Sequence, residues 1–166
     1  MKNRIKLRYQ EITDAKEFYK ILNNPKFLYF SAKPKSIEDE ENFLKLNQQK
    51  RIDRKEFNYS IIYKNELIGA IGLCIDQNRN YIAEVGYFID EKYWNKGFVY
   101  EAMLLIEKIA FKDIGIKRIE IIMITENKAS EKIAIKCGYE KEGVAKKKIK
   151  VIDKYYDCYL YEKVNF

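Results

Sequence analysis

The sequence predicts an α+β fold, an α/β sandwich on one mixed central sheet, in the order β-α-α-β-β-β-α-β-α-β-β. Three observations predict it. Strand-like runs between residues 57 and 89 are separated only by turn chemistry, as in an antiparallel meander. From residue 98 the apolar period changes from that of a strand to that of a helix. Strand-like and helical runs then alternate, which joins a β-α-β-α-β unit to the meander. At 166 residues, 47% of them apolar, with no internal repeat or composition break, the chain is expected to form a single domain over 1–166.

The elements follow in order. "IKLRYQ" (5–10) alternates apolar and polar residues and reads as the first strand. Thr13-Asp14 offers an N-cap to "AKEFYKILN", which stops before Asn24-Pro25. Pro34 and Ser36 precede a second helix, "IEDEENFLKLNQQ", whose first-turn acids suit the helix dipole. "FNYSIIY" (57–63), "LIGAIGLCI" (67–75) and "YIAEVGYFI" (81–89) are divided by Asn- and Asp-rich turns and read as hairpins. Phe98, Val99, Ala102, Leu105, Ile106, Ile109 and Ala110 lie on one face of a helix that Gly115 ends. "KRIEIIMI" (117–124) reads as a buried strand, and residues 127–137 as a second amphipathic helix capped by Asn127 and closed by Gly138. "YEKEGVAKK" and "YYDCYLYEKV" are the last two strands.

Composition limits the chemistry. The chain has no histidine, which excludes Ser–His and Cys–His nucleophiles and His-based metal sites; a general base must be a carboxylate, Tyr, Lys, the substrate or water. Cys74, Cys137 and Cys158 are odd in number and far apart, arguing against a disulfide framework or a zinc site and for a reducing compartment. No apolar run approaches the ~20 residues of a membrane span and no signal-like segment follows Met1, so a cytoplasmic protein is expected. The formal charge of +7 favours anionic partners: a phosphate-bearing cofactor, nucleic acid or an acidic protein face.

The segment "YWNKGFVYEAM" (93–103) places Lys96 and Gly97 at the start of a helix. Free N–H groups, the helix dipole and a residue without Cβ make an anion cradle there. Equally, Gly97 can simply ease a strand-to-helix turn.

The residues that carry a resemblance now stand in context. "YWNKGFVYEA" followed by "NKASEKIAIKCGYEKEG", in this element order, resembles the GCN5-related N-acetyltransferase superfamily, and within it the Rim-type ribosomal-protein N-terminal acetyltransferases. Trp94, Lys96, Gly97, Phe98, Glu101 and Ala102 match the family's acetyl-CoA loop; Asn127, Ser130, Ile133, Gly138, Tyr139, Glu142 and Gly143 match its later helix. Asn95 stands where the family usually has Gly, Val99 where it has Ala or Gly, and Ala134 where the wider superfamily often has the Tyr that serves as acid.

The resemblance implies acetyl-CoA as cosubstrate and a primary amine as acceptor, with a protein N-terminal α-amine favoured, contact with the ribosome, and homodimers as in similar enzymes. It implies that backbone groups of Asn95, Lys96, Gly97, Phe98 and Val99 bind the pyrophosphate. The strands 81–89 and 117–124 would splay around the pantetheine arm, with backbone groups near Phe88 and Ile89 pairing with it and stabilising the oxyanion. Asn127 would contact the arm or cap its helix, and Ser130 would act as acid at the sulfur.

Direct attack of an amine on the thioester needs the amine neutral. For an α-amine of pKa ~8 that costs about 1 kcal/mol at pH 7, and for a lysine-like amine near ~10.4 about 4.6 kcal/mol. Glu84, on the strand facing the cleft, is the candidate base, with an ordinary Lys-paired sheet carboxylate as the alternative. Asp157 is a candidate for binding the incoming amine or for pairing a Lys. A small-molecule amine acetyltransferase (polyamine, amino acid or amine antibiotic) is the nearest rival; an acid-lined acceptor pocket would favour a polyamine. A non-catalytic acyl-CoA sensor and a basic RNA-binding module are the other two.

Overall fold

The computed structural model describes residues 4–30 and 33–165. They build one seven-stranded mixed sheet of β1 (Ile5–Tyr9), β2 (Glu56–Tyr63), β3 (Glu66–Ile75), β4 (Ile82–Ile89), β5 (Arg118–Ile124), β6 (Glu140–Val151) and β7 (Lys154–Val164). The spatial order is β1-β2-β3-β4-β5-β7-β6, and the β4–β5 pair is parallel while its neighbours are antiparallel. The helices are α1 (Ala15–Leu22), α2 (Ile37–Lys45), α3 (Asn47–Ile52), α4 (Phe98–Lys108) and α5 (Lys128–Lys136). No helix among the described residues is long and apolar enough to cross a membrane.

Strand alternation gives the sheet two different faces. Ile71 and Leu73 of β3 and Val85 of β4 join Phe98, Ala102, Met103 and Ile106 of α4 in the main core. The opposite face is thinner: Ala70 and Phe88 meet Phe18 of α1 and Leu44 of α2. Helices therefore cover both faces, and the second leaves room for a cavity.

The expected second helix is broken in two. Leu46 keeps helical dihedrals, but its N–H bonds back to Phe43 three residues earlier (3.2 Å), and α3 restarts at Asn47. Leu46 is 56% exposed, so no packing holds the longer repeat there. Helix α4 also widens into a π-helical turn over Ile109–Ile114 before Gly115 (φ 87°) ends it.

One local feature prepares the site. β4 and β5 pair only at Ile82–Arg118, Ala83–Ile119 and Glu84–Glu120, then part. The ladder phase follows from Asp90 N–H donating to the Ile68 carbonyl (2.8 Å). Alternation then turns the backbone of Glu84, Gly86 and Phe88 toward β3 and that of Val85, Tyr87 and Ile89 toward the gap beside β5.

Candidate active site

The loop from β4 to α4 closes one end of that gap. The Trp94 indole N–H donates to the Ile89 carbonyl (2.9 Å) and ties the loop to the strand end. Asn95 (φ 58°) and Gly97 (φ 80°) both adopt the left-handed conformation. Asn tolerates it better than other side-chain-bearing residues, so the family's glycine is replaced without losing the backbone path. Gly97 supplies no side-chain cap, and the first helical-type bond is Glu101 N–H to the Gly97 carbonyl (3.2 Å). The N–H groups of Phe98, Val99 and Tyr100 precede that bond, as at any helix start.

Lys96 folds back, its Nζ donating to the Lys92 carbonyl (2.7 Å). The cation against the loop is instead Arg4, which donates to the Lys96 carbonyl (2.9 Å), pairs with Glu101 and lies 4.5 Å over the Phe98 ring. Sequence reasoning missed Arg4, because nothing in its neighbourhood announces a partner 97 residues away.

Across the gap, Asn127 accepts the Ser130 N–H (3.2 Å) and so caps α5. The Ser130 hydroxyl meets the Tyr87 hydroxyl at 2.6 Å. Burial pushes the Tyr87 pKa up to about 12, so the phenol stays protonated throughout the physiological range. Sequence reasoning also missed Tyr87. Its one signal is position: a hydroxyl among the core-facing residues Ala83, Val85 and Ile89 calls for a buried partner.

On the other face, a cavity of ≈ 630 Å³ opens between β3, β4 and the α1–α2 region, lined by Glu84, Gly86, Tyr87 and Phe88 among others. Gly72 and Gly86 stand directly opposite each other and leave its floor bare. A Cβ at Gly72 would lie 2.2 Å from Asn58 Oδ1, whereas one at Gly86 would meet nothing within 4 Å. Among the described residues the charged lining side chains are Asp39, Glu40, Glu56 and Glu84 against Lys33, with Glu56 already paired to Lys50 (3.0 Å).

Glu84 lies at the last paired position before the strands part. Among the described residues its carboxylate makes neither a hydrogen bond nor an ion pair. Partial desolvation, then repulsion from Glu120, holds its pKa above the ordinary glutamate value, and Lys148 opposes that only in part. Its neighbour Glu120 pairs with Arg118 (2.7 Å), which is shared with Glu142 (2.6 Å) and Glu162 (3.4 Å) and so does not cancel that repulsion.

The structure thus sets Glu84 and Tyr87 on the cavity, joins Tyr87 to Ser130 of α5, and leaves the gap-facing backbone of Ile89 at the far end of β4, where Trp94 ties it to the loop that leads to Gly97. Two candidates fall elsewhere. Phe88 gives its backbone to the β3 ladder and its side chain to the thinner core, so Ile89 alone of that pair offers an N–H to the gap. Asp157 does not line the cavity; its carboxylate accepts the Lys147 N–H (2.8 Å) and fixes the irregular stretch of β6, where Lys147 has φ 49°.

Comparison with known proteins defines the class. Residues 4–140 match the family model described as the acetyltransferase (GNAT) domain, and the chain belongs to that family. The Bacillus subtilis (strain 168) protein named Probable N-acetyltransferase YjcK is 30% identical over 160 residues, covering 89% of this chain and 86% of the relative. The Escherichia coli (strain K12) Ribosomal-protein-serine acetyltransferase is 27% identical over 106 residues, 64% of this chain and 59% of the relative. The crystal structure of Microcin C7 self immunity acetyltransferase MccE in complex with acetyl-CoA and AMP matches with a TM-score of 0.87 at 29% identity, over 98% of this chain and 93% of that one. The chain is an acetyl-CoA-dependent N-acetyltransferase.

Proposed function

We propose that the enzyme, a cytoplasmic protein, acetylates a primary amine that enters the acid-lined cavity as a cation and reacts beside Glu84. The observation that carries this reading is an unpaired carboxylate of raised pKa at the point where β4 and β5 part, on the wall of a cavity with four acids and one lysine. Acetyl-CoA supplies the activated acyl group. The free N–H groups at the start of α4, with Asn95 and Gly97 left-handed before them, suit its pyrophosphate. The unpaired edge of β4 suits the amides of the pantetheine arm.

Acid lining attracts an amine but also keeps it protonated. A lysine-like ammonium costs about 4.6 kcal/mol to neutralise at pH 7, so a base is needed. Glu84 takes that proton, directly or through one water, and its raised pKa improves the match. In this reading a gap-facing N–H of β4 donates to the oxygen on which charge develops. In this reading the Tyr87–Ser130 pair hydrogen-bonds the departing sulfur. A phenol near 12 is a far weaker acid than a thiol of ~8.5, so the pair stabilises the thiolate without surrendering its proton.

The lining favours a small cationic amine, and disfavours a phosphate-bearing ligand such as the AMP bound in the MccE structure. A protein N-terminal α-amine, with contact to the ribosome, is the second reading, carried by the Escherichia coli relative's name. Thiol release measured with acetyl-CoA against aliphatic amines and Ser- or Ala-initiated peptides separates them. Turnover of the small amines at least tenfold more efficient than of the peptides is expected. The reverse preference would favour the N-terminal acceptor.

A further inference from the structure

Glu40 is the one feature of the cavity that transfer chemistry alone leaves without a role. It belongs to the first turn of α2, where acids ordinarily face water and complement the helix dipole. Glu38 and Asp39 do so and are exposed, Asp39 beside the cavity; Glu40, which also lines it, is only 8% exposed. Among the described residues its carboxylate accepts no hydrogen bond and pairs with no cation. Burial, reinforced by Asp39, pushes its pKa up.

Other carboxylates buried to this degree have partners. Asp14 receives Arg8, Ser60 and the Glu11 N–H; Glu107 receives Lys163 at 2.7 Å on one oxygen and leaves the other buried without a partner. The Glu40 oxygens stay open to the cavity, and a carboxylate that is partly desolvated there without a counter-charge gains from a ligand cation. Phe30, Phe43 and Phe88 line the same cavity and suit an alkyl chain between two polar ends.

We propose that Glu40 binds a second ammonium group of the acceptor, which makes the acceptor an aliphatic amine carrying two or more positive charges, one nitrogen at Glu84 and another at Glu40. The inference rests on the reading of this cavity as the acceptor site. It makes Glu40 a specificity residue: it touches the far end of the acceptor and takes no part in the transfer.

The test is steady-state thiol release from acetyl-CoA by wild type and Glu40→Gln, with spermidine and 1,4-diaminobutane against n-pentylamine. Wild type is expected to use the di- and triamine at least tenfold more efficiently than the monoamine. Glu40→Gln is expected to raise their KM at least tenfold with kcat within twofold, and to leave the monoamine unchanged. Turnover of all three amines with a wild-type preference below threefold overturns the role of Glu40, whatever the variant does, and leaves the cavity as the acceptor site. An unchanged KM for the polyamines in a folded Glu40→Gln overturns it equally. If no amine or N-terminal peptide is turned over while acetyl-CoA still raises the melting temperature, the acceptor-site reading falls, and the inference with it.

Discussion

Asp14 and Glu84 are carboxylates on opposite sides of the same construction problem. Asp14 is 5% exposed and fully partnered: Arg8 reaches both of its oxygens (2.6 and 2.8 Å), and the Ser60 hydroxyl (2.7 Å) and Glu11 N–H (3.0 Å) complete the set. Those bonds outweigh desolvation and hold its pKa below the ordinary aspartate value. Glu84 is exposed at the cavity wall and loses only part of its hydration, but it gains no bonds in return, and its pKa moves up. The difference separates a carboxylate that holds the fold together from the one we propose takes the amine's proton. A site stores its reactivity by withholding partners that the rest of the sheet supplies.

The comparison can be broken at several points. Asp14→Ala should cost the most stability, about 3 kcal/mol, because Arg8 and Ser60 lose their acceptor together. Chemical denaturation measures it. The sign with pH follows from the depressed pKa: the contribution is complete above the unfolded value near ~3.9 and fades as pH falls through the folded one. The gap between wild type and variant should therefore narrow in acid. A constant gap would mean that packing alone is lost.

Gly97→Glu tests the loop side. Acetyl-CoA at about a hundred times Kd should stabilise wild type by roughly 2.7 kcal/mol. The variant forces a side chain into a left-handed position and sets a negative charge against the pyrophosphate. Its thermal shift at the same ligand concentration should fall by about 1.4 kcal/mol or more, a tenfold loss of affinity. An undiminished shift would reduce Gly97 to a turn residue.

The smallest effect is expected at Glu40, and with the opposite sign to Asp14. Glu40→Gln should stabilise the unliganded protein at neutral pH by about 1 kcal/mol, since an unpartnered charge is removed. A raised pKa makes wild type relatively more stable below the unfolded value near ~4.3 and less stable as pH rises through the folded one. The variant's advantage should therefore vanish in acid. Melting temperatures at pH 4 and pH 7 check this, and an advantage at both would point to packing.

The fold was largely legible because its signals are periodic. The meander announced itself through Asn- and Asp-rich turns, and α4 and α5 through their apolar stripes and the residues Gly97, Gly115, Asn127 and Gly138. The break at Leu46 was not legible, since nothing in local propensity marks a place where an exposed helix lacks packing. In the site, the loop and the later helix were readable because a backbone conformation and a cap constrain residue type locally. Tyr87, Glu40 and Arg4 were not, because each acts through a distant partner or through the lack of one. Glu40 in particular reads as a dipole-complementing acid until α2 is docked and turns it inward. Asp157 and Phe88 show the converse: plausible residue types that sheet register assigns to structural work.

The most direct test of Glu84 as base is kcat against pH for wild type and Glu84→Gln, with acetyl-CoA and acceptor amine saturating. The account predicts that wild-type kcat rises with pH through a group titrating above the ordinary glutamate range. In the variant that limb should disappear and kcat fall about a hundredfold or more. A Glu84→Gln enzyme with wild-type kcat and an unchanged pH profile would contradict the account, and would make Glu84 an ordinary carboxylate on the face of a sheet.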